Sequence, residues 1–151
     1  MTEPAENAPD GAAFITLGGK DWPVPVLAWR QLQKCRRELL ELSSLINEAI
    51  AARPVPADAD DDAHLARNGE AMLGVFRGLS NEDYDRLIMG PIFVGLTALH
   101  PTLGRDEFDS WSSGEDDRQT AWLAVRRQSG MFMTRSEAAP SGEAKGAPTP
   151  D

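Results

Sequence analysis

The side chains able to act as nucleophile, base or metal ligand are few enough to weigh individually. Cys35 is the single cysteine among 151 residues, so the chain forms no internal disulfide and no thiolate-clustered zinc site. It stands three residues after Leu32 and four before Leu39. That is the spacing of a buried helical stripe, whereas a reactive thiolate needs an exposed, electropositive setting with a base beside it. The two histidines, His64 and His100, lie far apart with no H-E-x-x-H pattern around either, which leaves no metal-ligand spacing. His64 reads as a first-turn surface residue, and His100 as a helix-end residue able to hydrogen-bond the last carbonyls. Asp58, Asp60, Asp61 and Asp62 resemble calcium ligands, but an EF-hand loop carries glycine at its sixth position and glutamate at its twelfth, where Ala63 and Gly69 stand. Gly18-Gly19-Lys20 lacks the spacing of a phosphate loop. Acids are plentiful, yet Glu82 with Asp83 and Asp85, Asp106 with Asp109, and Glu115 to Asp117 fall at helix starts or exposed positions, where stabilisation of helix ends accounts for them. The expectation is a protein that is not an enzyme and carries no metal or cofactor.

Charge narrows the partners. Lys and Arg total 15 against 24 Asp and Glu, a formal net charge of -9, which opposes binding to nucleic acid or anionic lipid through a general positive field. One segment runs the other way: Lys20 to Arg53 holds more basic than acidic residues. It reads either as a solvated face, with acid-base pairs such as Arg37 and Glu41, or as a surface for an acidic partner; Arg30, Lys34, Arg36 and Arg37 would be the cations of any nucleic-acid contact. No run of 18 apolar residues occurs, and Glu3, Glu6 and Asp10 stand where a signal peptide would be basic and then apolar. The expected location is therefore the cytoplasm.

The elements follow from hydrophobic period and punctuation. Residues 1–13 and 133–151, rich in Pro, Gly, Ala and Ser, read as disordered tails around a single domain at 14–132. Phe14 to Val24, with Gly18-Gly19 at its centre, predicts a β-hairpin, which must lie against something to be stable. From Ala28 to Ala52 the positions Trp29, Leu32, Cys35, Leu39, Leu42 and Ile46 repeat at three and four residues and predict a long amphipathic helix. A second helix is expected from Ala63 to Arg77, with Leu65, Met72 and Phe76 on its apolar side and an acidic start at Asp60 to Asp62. Ser80 is expected to cap a further helix. Gly90-Pro91 should break or kink its path, with a new helix from Pro91 fitting better than one straight rod. A short helix at Arg105 to Phe108 and a last one from Asp116 to Gln128, stopped by Gly130, complete the set. The fold class is mainly α: a short N-terminal β-hairpin packed on a small bundle of about four to five helices.

Four tryptophans, Trp22, Trp29, Trp111 and Trp122, are numerous for a domain of this size, and such rings serve both small cores and binding hot spots. The run Phe14-Ile15-Thr16-Leu17-Gly18-Gly19-Lys20-Asp21-Trp22-Pro23-Val24-Pro25-Val26-Leu27 leads at once into a helix. With the later block from Ile92 through His100-Pro101 to Arg105-Asp106-Glu107-Phe108, it resembles the tail assembly chaperones of long-tailed bacteriophages and prophages. The resemblance spans about Phe14 to Met131. It departs from the family pattern at Gly104, where a threonine or serine cap is common, at Gly90-Pro91, and in the acidic linker Ala57 to Asp62. It implies a non-enzymatic protein of the host cytoplasm that coats the helical tape-measure protein, delays its aggregation and helps recruit tail tube subunits. Trp22, Trp29, Leu40 and Leu45 are expected to border a client or self-association surface. Two other roles use the same helices: a structural component of the phage tail or connector, and a small helical adaptor or regulator.

Overall fold

The computed structural model describes residues 1–132, so the tail expected at 133–151 lies outside the described residues. Strands β1 (Ala13–Leu17) and β2 (Lys20–Val24) form an antiparallel hairpin in which Ile15 faces Trp22 and Phe14 faces Pro23. Gly18 and Gly19 take φ of 59° and 78°, the left-handed pair that a two-residue turn needs to match strand twist. A Cβ on Gly18 would also meet the Trp111 ring at 3.1 Å. The inward residues Ile15, Leu17, Trp22 and Val24 are buried against the helices, because a lone hairpin cannot hold itself together.

Helix α1 (Trp29–Ala51) buries Leu32, Cys35, Leu39, Leu42, Ser43 and Ile46 along one stripe. Helix α2 (Asp61–Gly78) opens on the Asp60 side chain, which accepts from Ala63 N–H at 2.9 Å, with Asp61 and Asp62 in the first turn. Carboxylates there offset the partial positive charge of the unpaired N–H groups. Helix α3 (Asn81–Tyr84) is capped by Ser80, whose hydroxyl accepts from Asp83 N–H at 3.1 Å. Short helix α5 (Arg105–Asp109) and helix α6 (Glu115–Gln128) follow, and Gly130 takes a φ of 73° just after the α6 cap at Ser129. The molecule is thus a short N-terminal hairpin against a bundle of four to five helices, as the patterning predicted.

Gly90-Pro91 acts differently from a simple break. Helix α4 (Gly90–Thr97) does begin there, with Pro91 in its first turn, but the chain never leaves helical dihedrals after α3. It passes through one π turn (Asp85–Met89), in which Gly90 N–H bonds to Asp85 O. Proline has no N–H to give the carbonyl four residues back, and its ring crowds that carbonyl; here that residue is Leu87. The wide turn makes room, and the buried Trp122 indole of α6 donates Nε1–H to Leu87 O at 3.2 Å. Nearby, α4 approaches so closely that a Cβ on Gly95 would meet Val125 of α6 at 3.0 Å and Val24 of β2 at 3.2 Å.

The stretch before β1 makes defined contacts with the body. Thr2 donates its N–H and hydroxyl to the two carboxylate oxygens of Glu107, each at 2.7 Å. Lys20 pairs with Glu3 at 2.8 Å, and Gln128 Nε2 donates to Gly11 O and Val24 O at 2.9 and 2.8 Å. The expected Arg37–Glu41 pair is replaced: both oxygens of Glu41 accept from Arg86, at 2.9 and 3.0 Å. An arginine from another element presents a planar fork that a neighbour on the same helix did not supply here.

Replacing Trp122 by Phe keeps an aromatic ring but strands Leu87 O, and is expected to cost about 1–3 kcal/mol. In a Pro91→Ala background a backbone N–H becomes available to that carbonyl, so the same replacement should cost less, which a chemical-denaturation double-mutant cycle reads directly. The Thr2 hydrogen bonds hold Glu107 below the usual carboxylate value of 4.5. Its contribution is therefore present above about pH 4.5 and lost as pH falls through the lowered folded value. The protection factor of the Thr2 amide, its exchange rate relative to the intrinsic rate at each pH, should fall over that acid range, and that fall should be absent in Glu107→Gln.

Candidate protein-binding site

The groups with reactive potential are absorbed by the fold. Cys35 is 1% exposed, its thiol directed to Gln31 O at 3.7 Å, and burial pushes it up to about 11, so the thiolate is scarce at neutral pH. His100 is buried at the end of α4, as its helix-end reading predicted. Its Nε2 accepts from Ala5 N–H at 2.9 Å, which leaves Nδ1–H to donate to Leu96 O at 2.9 Å. Among the described residues no three His, Cys, Asp or Glu side chains converge as a metal-binding group. A cleft of about 340 Å³ between the hairpin, α3, α5 and α6 contains polar groups, but they bond to one another. Arg105 bridges Asp85 and Asp109, and Arg118 donates to Tyr84 Oη and to Ser113 O.

The four residues expected to border a partner surface separate. Trp22 is a correction: it is 1% exposed, donates Nε1–H to Leu17 O at 3.0 Å and stacks on Trp111 with centroids 4.6 Å apart. Its position opposite Ile15 turns it inward, so it supports the hairpin and forms no border. Trp29 is 62% exposed and Leu40 40% exposed. Eleven positions at 3.6 residues per turn bring these two to nearly one line along α1. Leu45 is half-buried against the core, and five positions after Leu40 it sits on the other flank of the buried stripe. The four therefore do not make one surface.

A larger apolar opening lies elsewhere. Helices α1, α2 and α6 enclose a groove of about 620 Å³. Ile46 and Ile50 of α1, Met72 of α2 and Trp122 of α6 line it, with Leu65 and Leu123 among its walls. Leu65 is 68% exposed and Leu123 38%. Gly69 of α2 lines the opening, and a Cβ there would meet nothing within 4 Å, so the helix faces open space at that position. Asn68 also lines it, with Oδ1 buried and without a hydrogen-bond partner among the described residues. Such an orphan costs about 1–3 kcal/mol, a cost that an occupant bringing a donor would relieve once the amide turned toward it.

The helical pattern placed Leu65 on the apolar side of α2 and Leu123 on one line with Thr120 and Arg127, and neither was singled out as a contact residue. The available signal was Gly69, which stands four residues after Leu65 and three before Met72 on the same side of α2, since a helix-face glycine leaves space for a neighbour.

In native buffer Cys35 should resist iodoacetamide and react stoichiometrically only after denaturation, as followed by intact-mass measurement; rapid native labelling would contradict its burial. Compared with protein-family models, curated proteins and solved structures, the chain matches none.

Proposed function

We propose that the protein is a tail assembly chaperone of a long-tailed phage or prophage, which binds the tape-measure protein and assists assembly of the tail tube in the host cytoplasm. The observation that carries this reading is the open apolar groove between α1, α2 and α6, walled by the exposed Leu65 and Leu123, on a body of net charge -9. An amphipathic helix docks by laying apolar residues at i, i+3, i+4 and i+7 into a groove of this kind. The acidic remainder keeps an apolar-binding protein from self-precipitating. The resemblance carried by the hairpin and by the Ile92 to Phe108 block supplies the identity of the client, which the groove chemistry by itself does not specify. Among the described residues no helix is long and apolar enough to cross a membrane.

Co-expression with a phage tape-measure protein is the direct test. Wild-type chain should co-purify with that client and keep it from aggregating. Leu65→Glu with Leu123→Glu should retain the helical circular dichroism signal and lose co-purification by at least tenfold. Undiminished co-purification would move the client off the groove. Stoichiometric presence of the chain in purified virions would replace the chaperone reading with that of a tail component.

A further inference from the structure

The outer face of the first half of α1 has a chemistry unlike that of the groove. Arg30, Lys34, Arg36 and Arg37 are exposed and make no ion pair among the described residues, and Trp29 and Leu40 stand among them, 62% and 40% exposed. Four cations elsewhere on the molecule find carboxylates: Lys20 takes Glu3, Arg77 takes Glu115, Arg86 takes Glu41 and Asp83, and Arg105 takes Asp85 and Asp109, while Arg118 is held by Tyr84 Oη and Ser113 O. Of the two α1 acids beside this face, Glu41 is held by Arg86, and Glu38 lies on the flank toward α4, where it lines a shallow pocket with Lys34 and Pro91. In a chain with nine more acids than bases, four cations without an ion pair among the described residues, within two helical turns, are a local reversal of charge beside two exposed apolar side chains.

We propose that this face of α1 docks an acidic amphipathic helix of a partner protein, a contact separate from the α1–α2–α6 groove. Trp29 and Leu40 are about 16 Å apart along the axis at 1.5 Å per residue, the span of three turns of a partner helix carrying apolar residues on the facing side. The flanking arginines and lysine match glutamates on its borders, and Trp and Arg are each enriched at interface hot spots. A protein helix suits the charge distribution better than a polyanion does. Its few carboxylates meet the four cations within a Debye length of about 8 Å, whereas a nucleic acid or an anionic bilayer extends beyond the patch onto the acidic remainder.

The test titrates the full-length chain into a fluorescein-labelled peptide of about 18 residues, with leucine at i, i+3, i+4 and i+7 and glutamate at the flanking positions, and reads anisotropy. Saturable binding is expected, weakened at least tenfold by Trp29→Ala and by the triple reversal Arg30→Glu, Arg36→Glu, Arg37→Glu, both with unchanged circular dichroism. The triple variant should instead bind the same peptide with lysine replacing glutamate, a swap that a purely structural role would not produce. Leu65→Glu should leave binding of the acidic peptide unaltered, which separates this face from the groove. No saturable binding, binding indifferent to the charge reversal, loss on Leu65→Glu, or preference for a DNA duplex or phosphatidylserine vesicles over the peptide would overturn the proposal.

Discussion

The bundle is organised around a carbonyl that proline leaves unserved. Pro91 removes the N–H that Leu87 O would accept, and an unsatisfied buried acceptor costs as much as many apolar contacts gain. Trp122 answers from α6 with its indole N–H, and in doing so fixes where α6 must lie against the π turn. The same ring packs edge-on against Phe76 of α2 with centroids 5.8 Å apart. One side chain therefore sets the relation of α6 to two other helices. The close approach at Gly95 then brings α4, α6 and the hairpin's Val24 into one layer.

The hairpin depends on that layer and in turn closes one end of it. Trp22 is held by Leu17 O, by stacking on Trp111 and by edge-on contact with His100, so α4, α5 and the hairpin share an aromatic junction. Gln128 connects the junction to the far end of α6, with Nε2 serving Gly11 and Val24 and its own carbonyl accepting from Leu27 N–H at 2.9 Å. These polar bonds are few, but in a buried setting each also removes a desolvation penalty. They order residues ahead of β1 whose composition gives them little apolar area to bury.

What is left for partners is what this packing does not use. The bundle consumes the stripe of α1 centred on Leu39 and leaves two unlike edges: an apolar groove toward α2 and α6, and a basic, tryptophan-bearing face. Apolar recognition in the first is short-ranged and tolerant of sequence, while charge recognition in the second selects by sign and weakens with salt. Under the two proposals, a chain holding one protein in the groove would have a second contact open on α1, and the two would respond differently to ionic strength.

Much of the architecture was written locally. The three-and-four spacing from Leu32 to Ile46, the Gly18-Gly19 turn, the caps at Asp60 and Ser80 and the stop at Gly130 are each decided by neighbours within a few residues, so the chain's own order reveals them. Burial of Cys35 follows from the same period. The fate of Trp22 and Trp29 was not written there. Both are large, apolar and close to proline or a helix start, and only the docking of the hairpin against α4 and α6 turned one inward and left the other in solvent. The choice of Arg86 as partner for Glu41, the rescue of Leu87 O by Trp122 and the opening beside Gly69 belong to the tertiary structure for one reason. Each depends on the separation of two elements distant in sequence, and a hydrophobic period records which side of a helix faces inward without recording what it meets.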